Sequence, residues 1–155
     1  MPKTRIDGGL ALLALSNSDL GATDWKAMTF DRITTFAAAT GDHQWIHVDR
    51  ERIAKESPFG APIAHGYLTL ALVAGAFFEL LELSGFKMVI NYGTNKVRFP
   101  SPMKEGAQWR LAMRLGEVKE VGGGWLEAPF IATIEIEGSA KPGCVAECIY
   151  RFLPA

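Results

Sequence analysis

The stretch His65-Gly66-Tyr67-Leu68-Thr69-Leu70-Ala71-Leu72-Val73-Ala74-Gly75-Ala76-Phe77-Phe78-Glu79-Leu80-Leu81-Glu82-Leu83 is apolar almost throughout. Thr69, Gly75, Glu79 and Glu82 are nearly its only interruptions, and Gly85 punctuates its end. A helix that is apolar nearly all round has to be buried. Its longest apolar run, Tyr67 to Phe78, falls well short of the roughly 20 residues that span a bilayer. The expectation is therefore a long helix at the centre of a protein core, with no membrane partner.

After this helix every segment reads as strand: Lys87 to Arg98, Gln108 to Val121, Trp125 to Glu137 and Val145 to Phe152. Turn material separates them, namely Pro100-Ser101-Pro102, Gly122-Gly123-Gly124 and Gly138 to Gly143. Ala132, Ile134 and Ile136 alternate with Thr133, Glu135 and Glu137, which gives a strand one buried and one wet face. One more strand is expected around Asp24 to Met28. Strands in antiparallel succession, wrapped around one helix, are the simplest packing that buries such a helix. The fold class is α+β, with an antiparallel sheet of about five strands.

Before the helix, residues 5 to 16 read as a short amphipathic helix. Thr29 is placed to cap a second helix, in which Ile33, Phe36, Ala37 and Thr40 recur at helical spacing, and Gly41 is placed to stop it. A loop is expected from Asp42 to Val48, then a short helix from Asp49 to about Glu56. No repeat or linker divides the chain, so residues 1–155 are expected to form one domain.

Composition excludes several classes of function. The 155 residues are 48% apolar and carry a net charge of −1, without a basic cluster to attract nucleic acid. Cys144 and Cys148, the only cysteines, share an expected strand. There they would stand about 13 Å apart, beyond the reach of a disulfide. A reducing, cytoplasmic setting is expected. The basic start Met1 to Arg5 and the apolar stretch Leu10 to Leu15 are not expected to act as a secretion signal, because Asn17, Ser18 and Asp19 follow in place of a small-residue cleavage site.

Chemistry concentrates in Thr40-Gly41-Asp42-His43-Gln44-Trp45-Ile46-His47. An Asp and a His five residues apart in a loop can act as an acid/base pair on one water. They can equally be a helix cap and a half-buried loop residue. His43, His47 and His65 are the only histidines, and no His-Glu-x-x-His pattern or Cys/His cluster occurs, so no metal is expected. Gly66 opens the buried helix, where N–H groups lack internal partners. Without a side chain it either admits a ligand carbonyl to the backbone or lets helix and sheet touch.

Gly41-Asp42-x-x-x-x-His47 followed by Ala64-His65-Gly66 resembles the hydratase motif of the MaoC-like (R)-specific enoyl-CoA hydratases. Asn91 to Phe99 and Glu137 to Pro142 are similar to its nodulation-protein-N-like branch. The resemblance runs from about residue 24 to 153. It implies the hot-dog fold, a homodimer, and a CoA or acyl-carrier-protein thioester as substrate, with no cofactor. It further implies that Asp42 and His47 activate water and that the Gly66 N–H meets the thioester oxygen. The family often has Asn two residues after the Asp, then Pro; here Gln44 and Trp45 stand there. Gln44, Tyr67 and Arg98 are candidate substrate contacts, Arg98 because it and Lys96 are expected on one strand face. A thioesterase and a non-catalytic acyl-thioester-binding subunit are the alternatives.

Overall fold

The computed structural model describes residues 2–155. Its elements run β1 (Thr4–Asp7), α1 (Gly8–Ala14), β2 (Asp19–Ala22), β3 (Lys26–Ala27), α2 (Phe30–Thr40), α3 (Trp45–Val48), α4 (Arg50–Glu56), α5 (Gly66–Leu80), β4 (Leu81–Ser84), β5 (Phe86–Arg98), β6 (Gln108–Leu115), β7 (Lys119–Val121), β8 (Trp125–Ile136) and β9 (Cys144–Pro154). The main sheet has the order β2-β6-β8-β9-β5, with β3 also pairing β6 and β7 pairing β8. Four of the five expected strands supply β5, β6, β8 and β9 of the main path; the one expected around Asp24 to Met28 shrinks to the two-residue β3 beside β6, and β2, which was not expected, completes the path. Every pairing in this sheet is antiparallel.

Alternation holds the sheet onto the helix. Trp109, Leu111, Met113 and Leu115 of β6 are buried, as are Leu126, Ala128, Phe130, Ala132 and Ile134 of β8. Phe77 of α5 sits edge-on to Phe130 at 4.9 Å between ring centroids and stacks on Tyr150 of β9 at 4.7 Å. Aromatic contacts of this kind contribute about 1 kcal/mol each beyond burial. They fix the azimuth of α5, and so the direction its first turn faces.

Five further expectations need correction. The apolar run is helical only to Leu80; Leu81–Ser84 continues as β4 and pairs in parallel with β1, Thr4 opposite Leu81. Residues 5 to 16 accordingly split into β1 and α1. The central helix is also not enclosed all round: Tyr67, Ala71, Ala74 and Phe78 form an uncovered stripe, because one curved sheet reaches only part of its circumference. The strand expected from Gln108 to Val121 breaks at Gly116. A Cβ there would fall 2.9 Å from Pro129, so the chain passes β8 too closely to continue in register. Finally, residues 45–48 form the one-turn helix α3 where a loop was expected.

Other signals match. Thr29 Oγ1 accepts the Arg32 N–H at 3.2 Å, and Gly41 ends α2 with φ 77°, a left-handed conformation that costs glycine little. Cys144 and Cys148 both lie buried in β9 as free thiols. Among the described residues no helix is long and apolar enough to cross a membrane.

Candidate active site

Three segments meet around two histidines. Gly41 turns the chain out of α2, and the Asp42 carboxylate accepts the Gln44 N–H at 3.3 Å, which folds the chain into α3. Asp42 is half exposed, while His47, carried by α3, is 6% exposed. The segment before α5 is clamped from two sides: Ile63 N–H donates to Ile46 O at 3.2 Å, and Ala64 N–H donates to Met103 O at 2.7 Å. Arg50 of α4 pairs with Glu105 of the same neighbouring loop.

This clamp presents the Ile63 carbonyl to His47 Nδ1 at 2.6 Å. A carbonyl only accepts, so Nδ1 carries the hydrogen and the lone pair resides on Nε2. Burial holds the His47 imidazole below its ordinary value, and neighbouring His65 adds to this. The Ile63 bond and the Asp42 charge oppose it. The His47 imidazole is thus neutral at physiological pH.

A carboxylate oxygen of Asp42 and a ring nitrogen each of His47 and His65 lie within 4.8 Å of one another. Between Asp42 and His47 that gap exceeds a direct hydrogen bond and suits one bridging water with bonds of about 2.8 Å. The trio has the donors of a metal site but not its geometry. The two imidazoles stack at 3.8 Å with planes 22° apart, so their in-plane lone pairs run side by side and do not converge. His43 is exposed and stands outside the cluster.

Gly66 begins α5 directly after His65, with Phe99 against it: a Cβ at this position would meet two carbons of the Phe99 ring at 3.0 Å. Its N–H belongs to the first turn, which has no intrahelical acceptors. A groove of about 600 Å³ runs between α2 and α5, lined by Phe36, Leu68, Leu72 and Ala76; Asp42, His47 and Gly66 do not line it. Thirteen residues along α5, about 20 Å from Gly66, Glu79 meets Lys26 at 2.5 Å beside Trp109 and marks the groove's far end.

The other candidates are not brought into the cluster. Gln44 touches Asp42 through its backbone, and its side chain is exposed. Tyr67 is 76% exposed on the open stripe of α5. Arg98 is exposed and donates to the carbonyl of Val97 at 2.7 Å. The single strand face expected for Lys96 and Arg98 is not formed. Lys96 has φ 52°, and a bulge between Asn95 and Arg98 interrupts the alternation. His65, which sequence reasoning weighed only as a metal ligand or as a motif letter, is central to the site. Its position directly before the helix-opening glycine was the available signal.

A helix start, a buried histidine and an Asp-bearing turn held together on a sheet-wrapped helix define the class. The chain belongs to the family described as MaoC like domain, which matches residues 13–125. It is 47% identical over 142 residues to 3-hydroxyacyl-thioester dehydratase Z of Mycobacterium tuberculosis, across 92% of this chain and 93% of that protein. It is 41% identical over 132 residues to nodulation protein N of Rhizobium leguminosarum bv. viciae, across 84% and 82%. The solved R-hydratase PhaJ1 from Pseudomonas aeruginosa superposes with a TM-score of 0.66 at 20% identity, covering 90% of this chain and 81% of that one. The fold is the hot dog.

Proposed function

We propose that the protein hydrates trans-2-enoyl thioesters reversibly to (R)-3-hydroxyacyl thioesters, with Asp42 and His47 as the acid/base pair. The observation that carries this reading is the water-sized gap between the Asp42 carboxylate and a His47 fixed as the Nδ1–H tautomer. The 47% identity to a 3-hydroxyacyl-thioester dehydratase supports the reaction class.

In the forward direction the pair holds one water. Its oxygen bonds to C3 as His47 Nε2 removes a proton, and the π electrons move onto the thioester oxygen. The Gly66 N–H and the positive end of α5 stabilise that charge. A proton from the pair then reaches C2 on the same face, which makes the addition syn. The acyl chain lies in the groove along Leu68 and Leu72. Arg98, exposed one residue before Phe99, is the cation offered to the anionic carrier, CoA or acyl carrier protein.

We further propose a homodimer. Among the described residues β5 pairs only with β9, which leaves its other edge free, and Met88, Ile90 and Tyr92 of this strand are exposed. A second copy covers that edge together with the open stripe of α5.

The deciding assay follows the ultraviolet absorbance of crotonyl-CoA together with free thiol. Loss of enoyl absorbance without thiol release, giving the (R) product on chiral analysis, is expected. Thiol release would replace this reading with a thioesterase, and binding without either change would replace it with a carrier subunit.

A further inference from the structure

His65 is a buried titratable group that the proposed chemistry does not consume. It is 2% exposed. Its Nε2 lies 3.0 Å from the main-chain oxygen of Asp42 and 4.0 Å from that residue's carboxylate. The carbonyl only accepts, so Nε2 carries a hydrogen and donates it. One face of the ring stacks on His47, and Phe36 packs on the ring with centroids 5.0 Å apart. Its own carbonyl accepts both the N–H of Thr69, at 3.0 Å, and the Thr69 hydroxyl, at 3.2 Å, closing the first turn of α5. Gly66 is the next residue.

A structural filler does not need these properties. His65 Nδ1 is buried with no hydrogen-bond partner among the described residues. An apolar ring of the same size would fill the space without that cost, which is about 1–3 kcal/mol for an unsatisfied buried group. What an apolar ring lacks is the Nε2–H. The donor is therefore the feature that sets a histidine apart here, and its acceptor is the backbone of Asp42.

We propose that His65 is the positioning residue of this site: its Nε2–H holds the Asp42 turn at water-bridging distance while its ring face sets the plane of His47. The same residue registers both groups against the Gly66 N–H, because it is the cap of α5. This inference rests on the acid/base reading of Asp42 and His47. A misplaced pair still admits substrate to the groove, so the defect should fall on the chemical step and spare binding.

The test separates donor from ring. His65→Phe keeps the ring and removes the donor; His65→Gln returns an N–H near the position of Nε2. Steady-state hydration of crotonyl-CoA is measured for both, with thermal melts to check folding, and His65→Leu replaces His65→Phe if the latter does not fold. Hydrogen exchange of the peptide covering residues 40–48 is followed by mass spectrometry in the same samples. Expected for His65→Phe is a kcat at least tenfold lower, KM within twofold of wild type, and exchange several-fold faster. His65→Gln should recover kcat to within about threefold and restore slow exchange. Unchanged kcat in His65→Phe, or equal damage in the two variants, overturns the proposal. If wild type proves to have no hydratase activity, the functional reading fails by itself. The exchange comparison then decides the positioning: protection restored by His65→Gln upholds it, and equal exchange in all three proteins ends it.

Discussion

The Asp42 carboxylate and the His47 imidazole face each other across no more than 4.8 Å, without a direct bond. Their separation is set by different elements, the turn after α2 and the body of α3. In the proposed mechanism both hold and split one water, so Asp42→Asn and His47→Ala should each lower kcat for hydration at least about a hundredfold. The double variant should be little worse than either single one, as for groups acting as a unit. Multiplicative losses in the double variant would show that the two act separately.

Burial lowers the pKa of His47 below 6.5, so the folded chain binds fewer protons here than the unfolded one. The stability this group contributes is complete above 6.5 and is lost as pH falls through that value toward the lower folded one. The acid limb of kcat/KM should therefore have its midpoint below 6.5, and a chemical-denaturation series should show stability declining over the same interval. An acid limb centred above 6.5 would remove neutral His47 as the base.

At Gly66 the limit is steric. A Cβ would press on the Phe99 ring at 3.0 Å, and displacing it should cost about 1–2 kcal/mol, in the range for overpacking. Gly66→Ala should lower the melting temperature by several degrees and reduce kcat. Adding Phe99→Leu should recover the melting temperature, because the smaller side chain yields. Failure of the second change to restore stability would locate the clash elsewhere.

The groove makes a chain-length prediction. Leu72 lies six residues beyond Gly66, about 9 Å along the helix. Leu72→Trp should block the groove there, cutting kcat/KM for a twelve-carbon enoyl thioester at least tenfold and leaving the four-carbon substrate within twofold. Equal loss on both substrates would mean that the acyl chain lies elsewhere.

For assembly, Phe78 is 54% exposed on the stripe shared with Tyr67, Ala71 and Ala74. Light scattering should give twice the chain mass for wild type at micromolar concentration and a smaller species for Phe78→Asp. A monomeric wild type would refute the dimer.

Local signals were legible where a side chain acts on its near neighbours. Thr29 caps α2, Gly41 stops it, and the period of two in Ala132 to Glu137 orients β8, all from residues within a few positions. What stayed hidden depends on distant chain. Leu81–Ser84 looks like more helix until Thr4–Asp7 lies alongside it in parallel, a pairing across 77 residues that leaves no local pattern. The break at Gly116 is decided by Pro129, and the bulge at Lys96 by the register with β9. In the site, Asp42, His47 and Gly66 were readable as motif letters. The part of His65 was not, because its partners lie 23 residues away at Asp42 and 18 away at His47, and no spacing rule joins them.

The two thiols of β9 have a use at the bench. Burial pushes Cys144 and Cys148 both up to about 11, so at neutral pH almost none of either is thiolate, the form that alkylating reagents attack. Native cysteines can therefore stay in place during maleimide labelling. A cysteine introduced at exposed Leu10, or at exposed Lys141 between β8 and β9, would take a fluorophore or spin label selectively. Distance measurements between two such labels then become possible on an otherwise unaltered chain.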